Sequence, residues 1–355
     1  MGIIAFIFML SVIVVIHELG HFLVAKHFGV YCNEFSIGMG PAIYQKKGKE
    51  TIFSIRAIPL GGYVMMAGEE DGSQDEEKDD WLKDVPENRR INALPVWQQV
   101  CVMVAGVVMN FILALVLFIG LAMARGYVVE DPKPIVYEVV ENSPAQKAGL
   151  EKGDEVIQIK NEKETITPKT QVDVMEFVQF HKGKSTYTIQ REDETFDVVI
   201  QPKFDDEMQG YSIGMIAKAY ARPIGKLEAV QVGLMDMWDS GTMIFRSLGK
   251  LIRGIGVENL SGPVGIYKIT EKSAELGMMS YLSLFAMISL NIGVFNLLPI
   301  PALDGGRILM LLLEKLLGRK INQAVVERII MASFILLFGL MIYATFNDVM
   351  RFFIR

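Results

Sequence analysis

The sequence predicts a multi-pass α-helical membrane protein with about four transmembrane helices, a small membrane-associated β-sheet and one extracytoplasmic α/β domain. The first observation is composition: 51% of the 355 residues are hydrophobic and the mean hydropathy is +0.32, which is more apolar than an ordinary soluble enzyme. The second is charge, because 21% of the residues are charged, too many for a chain that lies wholly in lipid. The third is that four apolar stretches are each long enough to cross about 30 Å of hydrocarbon as a helix.

The four predicted spans are residues 3–25, 97–123, 281–300 and 325–346. The third is the least uniform, since Asn291 and Asn296 interrupt it. The first could instead be a cleaved signal peptide, but no basic segment precedes it and it has no clear small-residue cleavage site. We therefore expect the first span to be retained.

Lysine and arginine cluster in two of the segments that join these spans, which predicts that both segments are cytoplasmic. The residues are Lys26, Lys46, Lys47, Lys49, Arg56, Arg89 and Arg90 after the first span, and Arg307, Lys315, Arg319, Lys320 and Arg328 between the third and fourth. Both termini and the long middle segment are then extracytoplasmic. The net charge of −6, without a basic stripe, argues against nucleic acid as a partner.

The first span contains the motif H-E-x-x-H, formed by His17, Glu18 and His21. Two histidines four residues apart lie on one face of a helix and can share a zinc ion, while the glutamate between them can act on a water molecule. Each ionisable side chain in a membrane costs roughly 2.5–3.5 kcal/mol, so the three need a compensating partner, and zinc is the obvious one. The alternative is a polar helix end at the lipid headgroups without metal.

After the first span, residues 34–66 alternate apolar and polar side chains between glycine-rich turns, which predicts short strands in a β-hairpin or small sheet. Within them, Gly61, Gly62 and Tyr63 belong to the stretch 59–64. That stretch could be an edge to which a substrate adds as a strand, or simply the turn that closes the hairpin. The acidic run at residues 69–80 is predicted to be a solvated loop.

The middle segment, residues 131–217, has the composition of one small globular domain. We expect strands at 135–140 and 155–159 and a short helix at 143–150. The sequence S-P-A-Q-K-A-G-L-E-K-G-D, residues 143–154, resembles a PDZ domain of the bacterial protease type, a module that binds extended peptides by strand addition. Residues 211–214 are either the loop that receives the peptide or a plain closing strand.

Apolar residues recur at helical intervals between residues 225 and 256, so this segment is either an interfacial helix on the membrane or a soluble helix that covers the PDZ-like domain.

The two cysteines, Cys32 and Cys101, lie in or beside the predicted cytoplasmic segment and are expected to be free thiols. His27 and His181 are expected to be ordinary surface histidines.

A zinc protease site needs a third protein ligand. The third span ends in N-L-L-P-I-P-A-L-D-G-G, residues 296–306, whose prolines break a regular helix. Membrane depth tolerates such a break only where the backbone is buried in protein or lines a watery cavity. By itself Asp304 could lie in a cytoplasmic turn; together with H-E-x-x-H, it is predicted to face His17 and His21.

On these motifs the chain resembles the site-2 proteases, intramembrane zinc metalloproteases, and specifically their bacterial RseP/RasP type with a single PDZ domain. The resemblance covers nearly the whole chain: H-E-x-x-H, the stretch 59–64, Gly106 and Asn110 in the second span, the PDZ-like segment, S-G-P-V-G-I at residues 261–266, and N-x-x-P-x-P-x-L-D-G from Asn296. Val107 departs from the pattern, because family members often carry proline there.

The resemblance implies that His17, His21 and Asp304 bind Zn²⁺, that Glu18 is the general base, and that Asn296 positions the substrate backbone or the developing oxyanion. Gly61, Gly62 and Tyr63 would hold an unwound substrate as an added strand. The implied function is cleavage of transmembrane segments of single-pass proteins, such as an anti-sigma factor already trimmed outside or a remnant signal peptide, in regulated intramembrane proteolysis. The implied location is the lipid bilayer of a bacterial inner membrane.

A non-proteolytic, zinc-containing membrane scaffold with a PDZ-like recruitment domain is the alternative function, but such a site has no use for Glu18 beside the metal. A zinc transporter should show several ligands along a path.

The predicted segments are 1–30, first transmembrane helix; 31–95, cytoplasmic β-hairpin region and acidic loop; 96–125, second transmembrane helix; 126–220, PDZ-like domain; 221–275, amphipathic or interfacial segment; 276–310, third transmembrane segment with L-D-G; and 311–355, cytoplasmic loop and fourth transmembrane helix.

Overall fold

The computed structural model describes residues 2–69, 80–130, 132–205, 208, 210–218, 220–256 and 260–351. The predicted acidic loop therefore lies almost entirely outside the described residues. The chain divides into two compact units. The first comprises Met1–Leu121, Val230–Phe245 and Ser261–Arg355, and the second comprises Ala122–Ala229 and Arg246–Leu260.

Four helices are long and apolar enough to cross a membrane, in agreement with the predicted number. They are α1 (Gly2–His27), α3 (Val96–Arg125), α8 (Met278–Asn296) and α10 (Gln323–Val349). The predicted end of the third span at residue 300 is wrong, because α8 stops at Asn296. Pro299 disfavours helical backbone at the residue before it and offers no N–H, so the helix ends ahead of it.

The other α-helices of the described chain are α2 (Asp80–Lys83), α4 (Pro144–Lys147), α5 (Gln171–Phe180), α6 (Lys226–Ile252), α7 (Pro263–Glu275) and α9 (Asp304–Leu317). Helix α6 contributes residues to both units. Its residues 246–252 belong to the second unit, where Lys250 pairs with Glu176 of α5 at 3.0 Å. Whether α6 also lies on a membrane surface stays a prediction.

The predicted β-hairpin is present, formed by β1 (Cys32–Lys47) and β2 (Ile52–Met66), which pair antiparallel. The expectation of short strands is wrong, since they have 16 and 15 residues. Residues 34–37 of β1 have partners on both sides, 52–55 and 62–65 of β2. Both strands therefore fold back on themselves, which glycines with positive φ such as Gly38 and Gly61 permit.

The stretch 59–64 is not the turn that closes the hairpin. That turn lies between β1 and β2, where the N–H of Gly48 donates to the carbonyl of Thr51. Residues 62–65 instead form an outer row of the sheet, paired with β1 on one side only within the described chain.

The second unit contains the remaining strands: β3 (Tyr127–Glu130), β4 (Glu138–Val139), β5 (Glu155–Lys160), β6 (Thr165–Ile166), β7 (Ser185–Arg191), β8 (Glu194–Ile200), β9 (Lys203–Asp205), β10 (Gly210–Ser212), β11 (Met215–Ile216) and β12 (Tyr220–Pro223). Its largest sheet has the order β6-β5-β7-β8. Phe177 of α5 packs with Ile159 of β5 and Tyr187 of β7 in one buried core.

Two predicted elements of this unit are shorter than expected. The strand predicted at 135–140 is regular only at Glu138–Val139, although Ile135 forms a bridge with Glu155. The helix predicted at 143–150 ends at Lys147, because Gly149 adopts a positive φ of 80°. The strand predicted at 155–159 is present as β5.

His181 is not a surface histidine, contrary to the prediction. It is 6% exposed, its ring stacks on Phe177, and its Nδ1–H donates to the Phe177 carbonyl at 3.0 Å. The residue follows α5 directly, so its side chain folds back over the last turn of that helix. His27 is exposed as expected, and Cys32 and Cys101 are both free thiols.

Candidate metal centre and active site

His17 and His21 lie one turn apart on α1 and are both buried. They face α3, which approaches α1 very closely. A β-carbon on Gly20 of α1 would overlap the carbonyl oxygen of Ala105, and one on Gly106 of α3 would lie 2.7 Å from Cε1 of His17. Glycine at these two positions therefore lets the helices approach closely enough to enclose both imidazoles.

Asp304 reaches the same point from the opposite end of the sequence. The chain reverses after α8, and Asp304 is the first residue of α9. A β-carbon on Gly305 would overlap the carbonyl of Leu297, and one on Gly306 would overlap the carbonyl of Ile300. Because both residues are glycines, the start of α9 can pack directly against the segment that follows α8. The carboxylate also lies at a helix N-terminus, where the backbone dipole stabilises negative charge.

Three donor atoms converge, one each from His17, His21 and Asp304. Nε2 of His17 lies 3.1 Å from Oδ2 of Asp304 and 3.2 Å from Nε2 of His21, and Nε2 of His21 lies 3.5 Å from the same Oδ2. Three ligands bound tetrahedrally at about 2.0–2.1 Å to one zinc ion would lie about 3.3 Å apart. Oδ2 is buried and accepts no well-formed hydrogen bond from any residue that the structure describes. Two imidazoles and a carboxylate with this spacing therefore fit a zinc ion.

Glu18 lines a cavity of 770 Å³ together with His17, His21 and Asp304. On its other side Glu18 approaches β2, because a β-carbon on Gly62 would lie 3.8 Å from Cγ of Glu18. Glu18 thus lines the same cavity as the three donor residues and also lies beside the outer row of the sheet.

Of the residues predicted to bind substrate, only some line this cavity. Tyr63 does, while Gly61, Gly62 and Asn296 are not among its lining residues. Gly62 packs on the carbonyl of Ser36, which a β-carbon would approach to 2.6 Å. Nδ2 of Asn296 lies 3.5 Å from Nε2 of His17.

The model of the family described as peptidase family M50 matches residues 5–340. The chain belongs to peptidase family M50.

Curated relatives of this M50 peptidase match it along nearly their whole length. The regulator of sigma-W protease RasP of Bacillus subtilis is 31% identical, with 99% of each chain covered. The zinc metalloprotease RasP of Geobacillus kaustophilus is also 31% identical over 99% of each chain. A protein of Clostridium perfringens is 35% identical over 96% of each chain.

The cavity of this M50 chain is also lined by an ion pair, Glu34 and Arg56, that the sequence motifs did not indicate. Glu34 is 7% exposed and accepts hydrogen bonds from Nη2 of Arg56 at 2.7 Å and from the hydroxyl of Tyr63 at 2.9 Å. Burial raises the pKa of Glu34, but hydrogen bonds from Ser54, Arg56 and Tyr63 outweigh it and hold the pKa below its usual value. Burial and the bond to Glu34 raise the pKa of Tyr63 to about 12.

A second ion pair of the cavity wall joins Arg307 of α9 to Glu69, just after β2. Neither pair has a sequence signature, because its members come from separate elements. Alternation of charge and apolar residues in the stretch 34–56 could at most have indicated that Glu34 and Arg56 lie on strands.

Proposed function

We propose that this M50 peptidase is a zinc metalloprotease that cleaves peptide bonds within or beside the transmembrane segments of single-pass membrane proteins. One observation carries the proposal: Nε2 of His17, Nε2 of His21 and Oδ2 of Asp304 converge at 3.1–3.5 Å, in the cavity that Glu18 also lines. Two of these residues and Glu18 belong to a helix long and apolar enough to span a membrane.

In this proposal His17, His21 and Asp304 hold the ion. Zinc, when bound, makes water acidic near neutral pH and polarises a peptide carbonyl. Glu18 accepts the proton of the attacking water and then returns it to the leaving amine. The side-chain amide of Asn296, 3.5 Å from Nε2 of His17, donates to the substrate carbonyl as negative charge develops on its oxygen.

A transmembrane helix hides its carbonyls in hydrogen bonds, so the substrate must unwind before attack. We propose that the unwound segment binds along the outer row of the sheet. Residues 62–65 pair with β1 on one side only within the described chain, and Gly62 lies beside Glu18. A substrate that pairs with this edge as an added strand passes next to the general base.

The second unit has the proposed role of a PDZ-like docking module or size filter outside the membrane. The backbone expected to receive a peptide, at Tyr211, is hydrogen-bonded by a side chain of the same unit. Oε1 of Gln179 accepts the N–H of Tyr211 at 3.1 Å, and Nε2 of Gln179 donates to the Tyr211 carbonyl at 3.0 Å. A peptide that adds as a strand at Tyr211 must first displace Gln179.

The proposed substrates are an anti-sigma factor already trimmed outside the membrane and a remnant signal peptide, both of which offer a single-pass segment. The name of the Bacillus subtilis relative, regulator of sigma-W protease, supports a link between this family and the control of a sigma factor. The location proposed is a bacterial inner membrane, with both termini extracytoplasmic as the distribution of Lys and Arg predicts.

The test is cleavage of a tagged single-pass substrate by the purified protein in detergent. Wild-type protein should cleave, a zinc chelator should stop cleavage reversibly, and Glu18→Gln should abolish it while zinc stays bound in a 1:1 ratio. Equal cleavage by Glu18→Gln would refute the assigned base. Zinc bound by a protein that cleaves none of a panel of single-pass substrates would favour the scaffold alternative.

A further inference from the structure

The two histidines differ in what their second ring nitrogen contacts. Nδ1 of His21 lies 2.8 Å from the main-chain carbonyl of Val102 on α3, so Nδ1–H donates to it. This bond leaves the lone pair of His21 on Nε2, the atom directed at Asp304. A main-chain carbonyl can only accept, so the tautomer of His21 is settled by the fold.

No main-chain carbonyl of the described residues is bonded to the His17 ring, and Nδ1 of His17 faces the side-chain amide of Asn110 instead. Nδ2 of Asn110 lies 3.3 Å from Nδ1 of His17. Asn110 is fully buried, and its Oδ1 has no hydrogen-bond partner among the described residues. Leaving a buried polar atom unpaired costs about 1–3 kcal/mol.

A half-turn of the Asn110 amide exchanges Nδ2 and Oδ1, two atoms of nearly equal size. Oδ1 then accepts the Nδ1–H of His17, and the unpaired oxygen gains its bond. The lone pair of His17 is left on Nε2, which lies 3.1 Å from Oδ2 of Asp304. Both histidines then present the same ring nitrogen to the shared point.

The position of Asn110 on α3 supports this role. Val102, Gly106 and Asn110 are spaced four residues apart and so lie on one face of the helix. Val102 contacts His21, Gly106 makes room for both rings, and Asn110 contacts His17. The backbone of Asn110 is itself held, since its carbonyl accepts the hydroxyl of Ser289 on α8 at 2.9 Å.

We propose that Asn110 is a positioning residue for His17: its side-chain oxygen accepts the Nδ1 proton of His17 and so directs the Nε2 lone pair at the zinc site. The inference rests on the proposed zinc function and extends it by one residue of α3. Asn110 acts through His17 and contacts neither the metal nor the substrate.

The substitutions that test this role separate shape from hydrogen bonding. Asn110→Leu keeps the approximate size and removes the acceptor, whereas Asn110→Asp keeps an oxygen that accepts from Nδ1–H. Asn291→Leu is the matched control, because Asn291 lies on α8 and makes no hydrogen bond to His17 or His21 among the described residues. Loss of an outer hydrogen-bond partner typically weakens metal binding by about 10- to 100-fold.

The measurement is zinc affinity of the purified proteins in detergent by competition with a chromogenic chelator, with the absorption spectrum of the Co²⁺-substituted forms as a second readout. We expect Asn110→Leu to weaken zinc binding by about 10- to 100-fold and to alter the Co²⁺ spectrum, while Asn110→Asp and Asn291→Leu stay within about threefold of wild type. Equal affinity of wild type and Asn110→Leu, or equal losses in Asn110→Leu and Asn110→Asp, would overturn the proposal.

Two controls keep the outcomes distinct. Wild-type protein that binds no zinc would refute the proposed zinc function itself rather than the role of Asn110. If Asn110→Leu does not fold, the test passes to Asn110→Asp: a folded Asn110→Asp that has lost zinc binding would refute the acceptor role.

Discussion

Gly106 of α3 faces His17 of α1 so closely that a β-carbon on the glycine would lie 2.7 Å from Cε1 of the imidazole. The same β-carbon would overlap Nε2 of His21. The glycine therefore does more than bring two helices together, because the space it leaves is filled by the side chains that converge on Asp304.

Replacing Gly106 with alanine should lower zinc affinity at least tenfold, because the methyl group displaces one or both imidazoles from the common point. Gly120→Ala is the matched control on the same helix, since a β-carbon there would meet no atom of another described element within 4 Å. That variant should bind zinc normally and be unchanged or more stable by up to about 1 kcal/mol. Chelator competition and thermal unfolding check both variants, and equal zinc affinity would contradict the assigned packing.

Gly62→Ala should reduce cleavage of a transmembrane substrate at least tenfold while zinc stays bound. The added methyl group would lie 2.6 Å from the carbonyl of Ser36, so the outer row of the sheet must move away from β1. Gly339→Ala in α10 is the control and should cleave as wild type does, because a β-carbon there would meet no atom from another element of the described chain within 4 Å. Normal cleavage by Gly62→Ala would argue against strand addition at this edge.

Asp154→Asn should destabilise the second unit, and more so near neutral pH than in acid. Asp154 is fully buried and accepts two hydrogen bonds from Arg191, at 2.7 and 2.9 Å. Burial raises the pKa of Asp154, but the Arg191 guanidinium outweighs it and holds the pKa below its usual value. The folded state therefore binds fewer protons than the unfolded state, so this stability is present above about pH 4 and is lost as pH falls through the lowered pKa.

Hydrogen exchange of the backbone amides of β5 and β7 in the full-length protein measures this effect. Wild-type protein should lose protection there as the pH approaches 3, whereas Asp154→Asn should be less protected at pH 7 and show a flatter profile. Parallel profiles of the two proteins would rule out the ion pair as the origin of the pH dependence.

His181→Phe should flatten the pH dependence of the second unit between about pH 5 and 7. Burial lowers the pKa of His181 below its ordinary value, so the unfolded state takes up a proton at a higher pH than the folded state does. The stabilisation from the neutral, buried ring is complete above about pH 7 and falls as the medium is acidified. Thermal unfolding across this range checks the prediction, with the exposed His27→Gln as the control that should retain the wild-type slope.

Much of the secondary structure could be predicted, because it depends on patterns of apolar and polar residues that extend over short stretches of sequence. Continuous apolar runs predicted the four span-length helices, and alternation predicted the hairpin of β1 and β2. The errors came where tertiary contacts override local pattern. Nothing in the composition of β1 shows that it folds back to pair on both sides with β2, and nothing near His181 shows that its ring packs over Phe177.

The candidate site divides in the same way. The relative placement of the two imidazoles could be predicted from H-E-x-x-H, since residues four apart on a helix lie on the same face. The contributions of Val102 and Asn110 could not be read in this manner, because one acts through a main-chain carbonyl and the other through a contact between helices. Residue type does not encode either contact.

The sequence by itself determined which helices are long and apolar enough to cross a membrane, that two histidines and a glutamate share one turn of the first, and that prolines end the third ahead of Asp304. Only the tertiary structure decided that Asp304 meets His17 and His21 at one point, that Gly106 leaves room for them, and that Gly62 lies beside Glu18. The physical reason is that helix propensity and periodicity act over a few residues, whereas convergence of atoms from α1, α3, β2 and α9 depends on how closely whole elements pack.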